Sequence, residues 1–229
     1  MAGRPAPMVS SGDPLSARVD YAVAGLGDDE VASEPLSQFQ SWLRDAADSG
    51  VREPNAMSLA TNGPDGPRVR IVLAKAVDRL GVTFYTNTES DKAQEIAHDP
   101  RVALVFGWLP LHRQVRFTGT AQQVARDEAQ AYFATRPRGA QIGAWASPQS
   151  RPLVGRTELV DRVAAAQERF GETEIPLPDH WGGYRVTVDS VEFWQGQPSR
   201  LHDRILFRAL HTPSLLDTPS DWQRSRLAP

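Results

Sequence analysis

Arg200, His202 and Arg204 stand two residues apart in the segment V-E-F-W-Q-G-Q-P-S-R-L-H-D-R (191–204), shortly after Trp194. In an extended chain this spacing turns all three side chains to one face, with Leu201 and Asp203 on the other. Two guanidiniums and an imidazole beside an indole would suit a flat, anionic ligand. Arginine offers planar, bidentate donors and stacks on rings, and histidine exchanges a proton near neutral pH. The same spacing also fits a solvated strand edge, and other segments must decide between the two. Val191 and Phe193 read as a strand that delivers Trp194 and Gln195 to a turn at Gly196-Gln197-Pro198.

Three further groups carry anion chemistry. Arg70-Ile71-Val72-Leu73-Ala74-Lys75 reads as a strand with a cation at each end. Tyr85-Thr86-Asn87-Thr88-Glu89-Ser90-Asp91-Lys92 runs from a strand into a helix start, where Ser90 is a candidate N-cap. Free backbone N–H groups there, with Thr86, Ser90 and Lys92, would make an anion site, although an ordinary capped helix has the same pattern. Tyr132, Arg136, Pro137, Arg138, Gly139, Ala140 and Gln141 form the third group, with arginines on both sides of a helix-breaking proline. Among 25 basic residues only Lys75 and Lys92 are lysines. An arginine-rich composition accounts for that without any function, but both lysines fall at element ends rather than on a solvated helix face. No P-loop and no G-x-G-x-x-G occurs. The five histidines show no metal-ligand spacing, no nucleophile–base pattern is evident, and no metal is expected. Two separable anion pockets with aromatic neighbours remain, which points to a phosphorylated cofactor and a phosphorylated substrate.

Composition limits the alternatives. The chain has 229 residues, 40% of them hydrophobic, and no cysteine, so disulfides, thiolate metal sites and cysteine nucleophiles are excluded. A net charge of −3 and a pI near 6.0 argue against a general nucleic-acid binder. No apolar run approaches the roughly 18 residues of a membrane span, and the N-terminus lacks the apolar centre of a signal peptide. A cytoplasmic enzyme is the expected class.

The elements that must position these residues are mostly short strands. Residues 1–30, rich in Gly, Ala, Pro, Ser and Asp, are expected to be flexible, with 31–229 as a single domain. A helix is expected over Pro35–Ser49, from Phe39, Trp42, Leu43 and Ala46 on one stripe. Strands follow at Ala56–Thr61, Val69–Ala74, Val82–Thr86, Val102–Trp108 and Gln114–Val124, with a hairpin turn at 62–67. Helices are expected at Asp91–His98, Arg126–Thr135 and Thr157–Phe170. Strands at Tyr184–Val188, Val191–Gln195 and Ile205–Leu210 and a loop at 211–221 complete the reading. Short turns without β–α alternation predict a mainly β (α+β) fold, an antiparallel, Greek-key-like barrel with surrounding helices.

The ordered motifs R-I-V-L-A-K (70–75), F-Y-T-N (84–87), R-Q-V (113–115), R-P-R-G-A-Q-I-G-A-W-A-S (136–147), W-G-G-Y-R-V (181–186), V-E-F-W-Q-G (191–196), R-L-H-D-R (200–204) and R-L-A-P (226–229) give the chain a resemblance. From about residue 35 to the end it resembles the pyridoxine/pyridoxamine 5'-phosphate oxidases, flavin enzymes that make pyridoxal 5'-phosphate. The resemblance implies an FMN-binding split β-barrel working as a homodimer, with flavin sites at the subunit interface. It implies that Arg70, Thr86, Ser90 and Lys92 hold the FMN phosphate and that the 70–75 strand, with Ile71, Val72, Leu73, Ala74 and Lys75, runs along the flavin. Tyr85 and Asp91 fall within the same matched cofactor segments. Gln114, Gln149, Ser150, Trp194 and Arg204 would contact the flavin ring and ribityl chain, partly from the second subunit. Lys75, Tyr132, Arg136 and Ala140 would line the substrate-phosphate pocket, with Arg200 and His202 against the pyridine ring as the catalytic pair. Arg18 and Tyr21 match an R-x-x-Y lid that closes over the substrate.

The implied reaction passes a hydride from the substrate's C4' carbon to flavin N5, and dioxygen then takes the electrons to give hydrogen peroxide. Pyridoxine 5'-phosphate or pyridoxamine 5'-phosphate would be the substrate, with the protein supplying orientation and charge. Two positions depart from the pattern. Asp91 stands where a basic residue is usual, and Ala140 replaces a small hydroxyl residue, removing a hydrogen bond worth about 0.5–1.5 kcal/mol. Two other readings fit parts of the sequence. One is a split-barrel oxidase of a carboxylated aromatic, phenazine-type intermediate, which needs no substrate-phosphate pocket. The other is a non-catalytic flavin- or pyridoxal-phosphate-binding protein.

Overall fold

The computed structural model describes Leu15, Tyr21 and residues 25–229. Arg18 of the expected lid lies outside the described residues. Helix α1 (Pro35–Asp48) starts where the Glu34 carboxylate accepts the Ser37 N–H, and it buries Phe39, Trp42 and Ala46. Strands β1 (Ala56–Gly63), β2 (Gly66–Leu73), β3 (Ala76–Asp78) and β4 (Gly81–Asn87) follow, then helix α2 (Asp91–His98). Strands β5 (Arg101–Trp108) and β6 (Arg113–Gln123) lead into helices α3 (Arg126–Ala134), α4 (Arg138–Ala146) and α5 (Arg156–Phe170). Strands β7 (Trp181–Gln195), β8 (Asp203–Ala209) and β9 (Trp222–Leu227) close the chain.

All strand pairs are antiparallel, in the order β2-β1-β5-β6-β7-β4-β3, with β8 joined to β7 and β9 to β8. The 15-residue β7 organises the sheet. One of its edges pairs with β6 along most of its length. Its other edge pairs with β4 over Trp181–Val186 and with β8 over Ser190–Gln195. The sheet therefore divides at residues 187–189, and each branch carries a different set of side chains. At the division the β6–β7 register slips between Thr118 and Gly119, leaving Asp189 as a bulge. Gly119 is required there, because a Cβ would lie 2.0 Å from the Thr187 carbonyl oxygen.

The main core packs α1 against the sheet interior, with Phe39, Phe84, Leu104, Phe106, Phe117, Phe193 and Phe207 almost fully buried. A second, smaller core joins α3, α4 and α5 to the start of β7 through Phe133, Ile142, Phe170 and Trp181.

Several expectations are revised. The strand expected to break between Val188 and Val191 is continuous, because the bulge absorbs the weak strand formers Asp189 and Ser190. The helix break expected at Pro137 is present, but Pro137 also opens a further helix, α4, over residues that the sequence reading left unassigned. Strand β9 was not foreseen, since W-Q-R-S-R-L is mostly exposed and forms only by pairing with β8. The R-x-H-x-R segment is not extended. Pro198–Arg200 is a 3-10 turn in which Ser199 (φ 55°) and Arg200 (φ 61°) are left-handed, and β8 starts only at Asp203. Proline at 198 offers no N–H, and the Gln197 N–H goes to His202 Nδ1 at 3.0 Å instead of to a strand ladder. Arg200, His202 and Arg204 consequently do not share one strand face. Residues 25–31 pack on β8 and β9: Leu26 is buried, its N–H meets Asp203, and Arg226 bonds the Leu26 carbonyl and Asp28.

Candidate active site

A cleft of about 650 Å³ opens between β2, β4, α2, α3 and α4. It is lined by Ile71, Val72, Leu73, Lys75, Tyr85, Thr86, Lys92, Tyr132, Arg136, Ala140 and Gln149 among the sequence candidates, together with Trp181. Residues spread over 79 positions of sequence between Ile71 and Gln149 thus meet at one opening. Two cationic subsites lie within it.

The first is centred on Lys92. Its ammonium donates to Gln149 Oε1 (2.8 Å), Ser90 Oγ (3.0 Å) and Thr86 Oγ1 (3.1 Å), all neutral oxygens. Burial, and then the positive charge of Arg70, push its pKa below the ordinary lysine value of 10.5. The ammonium thus has only neutral hydrogen-bond acceptors, and the charges of Asp91 and Glu95 offset burial and Arg70 only in part. Ser90 occupies the N-cap position of α2, but its hydroxyl donates to the Asn87 carbonyl (2.7 Å) rather than capping the helix. Gln149 sits on a turn tied to the β4–α2 loop through Arg151 and the Glu89 carbonyl (2.9 Å), which sets the amide over Lys92. Its neighbour Ser150 is exposed, with a left-handed φ of 68°.

The second subsite is built on stacked rings. Tyr85 lies parallel to Tyr132 (centroids 4.0 Å apart, 11°) and to Trp181 (5.5 Å, 4°). The guanidinium of Arg136 lies over Trp181 at 4.8 Å and over Phe133 at 5.6 Å. Arg136 Nη1 is buried without a hydrogen-bond partner, and burial holds the guanidinium's pKa below its usual value. An orphaned, desolvated donor costs free energy unless an anion meets it. The exposed Lys75, which also lines the cleft, has no side-chain partner among the described residues. The two arginines flanking Pro137 diverge: Arg138 is spent on the Thr173 (2.8 Å) and Gly171 carbonyls at the end of α5.

Arg70, Ala74 and Asp91 border this cleft without lining it. Arg70 bonds Glu95 Oε2 (2.5 Å), Thr61 and the Leu59 carbonyl. Ala74 is buried, its N–H on the Asn55 carbonyl. Asp91 lies 3.9 Å from Arg68 and lines a separate cleft of about 270 Å³, and its charge partly offsets the lowering of the Lys92 pKa.

The remaining candidates gather at the other end of β7. Gln114 pairs with Trp194, which pairs with Arg204. Arg204 is fixed by the buried Glu192 (2.9 and 3.2 Å), which also holds Arg116. The His202 ring packs at a tilt against Trp194 (centroids 4.6 Å apart, 46°), and Tyr21 contacts His112 (4.3 Å), His202 (5.7 Å) and Trp194 (6.3 Å). With Nδ1 accepting from Gln197, Nε2 is the proton-bearing nitrogen of neutral His202. None of Gln114, Trp194, Arg200, His202 or Arg204 lines the cleft. Thirteen residue steps of β7 from Trp181 to Trp194 span roughly 40 Å of strand.

Sequence reasoning missed Trp181, Glu95, Glu192 and His112. The W-G-G-Y motif held a signal for Trp181. Glu192 lies diagonally opposite Arg204 across the β7–β8 pair, and Glu95 stands four residues after Asp91 on α2, but neither partner is visible without the fold.

An antiparallel sheet divided along one long strand, with a cation-lined cleft in one branch, defines a protein of the split-barrel class. Residues 43–170 match the pyridoxamine 5'-phosphate oxidase family, and residues 181–229 match the C-terminal dimerisation region of pyridoxine 5'-phosphate oxidases. A pyridoxine/pyridoxamine 5'-phosphate oxidase from Kineococcus radiotolerans is 51% identical over 221 residues, covering 95% of this chain and 99% of that protein. One from Salinibacter ruber is 49% identical over 214 residues, covering 93% and 97%. Among solved structures, PhzG from Burkholderia lata 383, in complex with tetrahydrophenazine-1-carboxylic acid, superposes with a TM-score of 0.82 at 27% identity, covering 92% of this chain and all of that one. A pyridoxamine 5'-phosphate oxidase-related, FMN-binding protein from Nostoc punctiforme shares the fold (TM-score 0.67, 16% identity, 87% of this chain and all of that one). The chain belongs to the pyridoxamine 5'-phosphate oxidase family.

Proposed function

We propose that the protein oxidises pyridoxine 5'-phosphate or pyridoxamine 5'-phosphate to pyridoxal 5'-phosphate with FMN as cofactor and dioxygen as electron acceptor. The observation that carries this reading is the pair of separate cationic subsites in one cleft, one for each phosphate. Lys92, with Thr86, Ser90 and Gln149, fits the FMN phosphate, because a dianion would relieve both its desolvation and its repulsion from Arg70. Arg136 and Tyr132, with Lys75, fit the substrate phosphate, because the orphaned Arg136 Nη1 lacks only an acceptor. Ile71, Val72 and Leu73 line the same cleft and would flank the flavin.

When bound, FMN supplies the hydride acceptor and passes the electrons on to dioxygen. The chain's own residues hold the substrate phosphate at one end of the cleft, which fixes the reach of the pyridine ring. Arg200 and His202 would then set the ring's tilt and the charge of its oxygen substituent. They stand with Trp194 and Arg204 near the far end of β7, inside the dimerisation region, where Gln114 of β6 pairs with Trp194. The partner subunit of a homodimer would therefore bring them to the cleft, with Tyr21 and Arg18 as a lid. No described helix is long and apolar enough to cross a membrane. The reading places the enzyme in the cytoplasm.

The likeness to PhzG gives the carboxylated-aromatic reading an observation of its own. The orphaned Arg136 beside Tyr132 favours the phosphorylated substrate. The test is an absorbance spectrum of purified protein reconstituted with FMN, followed by anaerobic addition of pyridoxamine 5'-phosphate. Bleaching of the flavin band is expected, and a protein that takes up FMN but is never bleached would reduce it to a binding protein.

A further inference from the structure

We propose that Glu95 is a positioning residue for the cofactor site: it holds the Arg70 guanidinium ready beside Lys92 for the flavin phosphate. The inference rests on the reading that Lys92 and Arg70 receive that phosphate.

Glu95 is 4% exposed, on the face of α2 that packs on β1. Its Oε2 accepts from Thr61 Oγ1 (2.5 Å) and from Arg70 Nη2 (2.5 Å). Arg70 Nη1 donates in turn to the Thr61 hydroxyl and to the Leu59 carbonyl (3.3 Å). One carboxylate thus ties α2, β1 and β2 together at a single guanidinium. The space exists because residue 63 is glycine: a Cβ there would lie 2.9 Å from Glu95 Cγ.

Burial pushes the Glu95 carboxyl up, but the hydrogen bonds from Thr61 and Arg70 and the charges of Arg70 and Arg68 outweigh it, so it stays ionised. Its second oxygen has no hydrogen-bond partner, and Arg68 Nε stands 3.7 Å from it. The division of labour follows. Arg68 occupies the outer side of Glu95 and faces Asp91, while Arg70 is held on the inner side.

A long side chain that is already fixed loses little rotamer freedom when its ligand arrives. Arg70 also keeps Nε without a protein partner among the described residues, an open donor for the anion. Glu95 touches neither cofactor nor substrate in this scheme and acts through Arg70 alone.

The test compares FMN with riboflavin, which lacks the phosphate, by flavin-fluorescence quenching on the apoprotein. Glu95→Ala is expected to weaken FMN roughly tenfold or more, the size of one charge-assisted contact, and to leave riboflavin unchanged. Glu95→Gln keeps an acceptor oxygen for Arg70 and should restore most of the FMN preference. If Glu95→Ala does not fold, Thr61→Val removes the hydroxyl between the same two groups and should lower the same ratio. Equal weakening of both flavins, or none of either, would show Glu95 to be purely structural and overturn the proposal. Lys92→Ala is the control: if it too leaves the FMN-to-riboflavin ratio unchanged, the phosphate is elsewhere and the underlying reading fails.

Discussion

Tyr85 on β4 and Gly183 on β7 face each other across a strand pair, and a Cβ on Gly183 would lie 2.5 Å from Tyr85 Cδ1. The missing side chain lets the Tyr85 ring lie flat, and only a flat ring can stack on Tyr132 and Trp181 at once. Gly183→Ala should therefore displace the stack that supports Arg136. The expected cost is about 1–3 kcal/mol of stability, as for other overpacked sites, with a raised KM for phosphorylated substrate. Denaturant unfolding of the apoprotein and steady-state kinetics check it; an unaltered KM would show that the stack does not serve the substrate.

Arg136 sets function against stability. Its buried Nη1 has no partner, so Arg136→Leu should leave the apoprotein as stable or raise it by about 1 kcal/mol. The same change should raise KM for pyridoxine 5'-phosphate by about tenfold to a hundredfold, the loss of one charge-assisted phosphate contact. Thermal unfolding and kinetics on one preparation give both numbers. A strongly destabilised variant would mean that Arg136 is a structural clamp.

Lys92 should make FMN affinity pH-dependent on the alkaline side. Its pKa in the apoprotein is lowered, first by burial and then by Arg70, and a bound phosphate would raise it again. FMN binding should then take up a proton, and affinity should fall as pH rises from below 10.5. For the apoprotein the sign is opposite. The unfolded chain holds the Lys92 proton to higher pH than the folded one, so this residue's contribution to stability rises through that window. Flavin titrations across the range should show the loss in the parent and a flat profile in Lys92→Arg, which stays charged.

The two ends of β7 can be tested as parts of shared sites. Lys92→Ala damages the cleft, and Trp194→Ala damages the far cluster. In a mixed dimer one site would carry both lesions and the other neither. Co-refolding the two inactive variants should restore activity in part, whereas mixing either with itself should not. No recovery in mixed dimers of proven composition would assign both clusters to the same subunit's site.

Arg200 and His202 concern orientation more than affinity. If they align the substrate carbon with the flavin, a displacement near 1 Å can cost about a hundredfold in rate. Arg200→Ala should slow anaerobic flavin reduction at saturating pyridoxine 5'-phosphate, and more than His202→Ala does. Arg200→Lys should stay impaired, because an ammonium lacks the planar fork. Single-turnover reduction at the parent rate in Arg200→Ala would leave that residue a binding role only.

Most of the secondary structure was legible in the sequence because its signals are local. The stripe Phe39, Trp42, Ala46 fixes α1, and strands such as β4 and β5 are bounded by turn residues on both sides. The cations Lys92 and Arg136 were legible as well, since each stands at an element end. What the sequence could not hold was the company that side chains keep. Tyr85, Tyr132 and Trp181 become one stack only when β4, α3 and β7 meet, and Arg70 and Arg204 acquire Glu95 and Glu192 only across strands and helices. The extended reading of Arg200–Arg204 failed for a related reason: a side-chain nitrogen of His202 takes the Gln197 N–H, and the backbone turns through left-handed φ angles instead of joining the ladder. Residue types and order determined which chemistry was at hand. The tertiary structure decided which charges are neutralised and which stay open, because burial and pairing depend on neighbours far away in the chain.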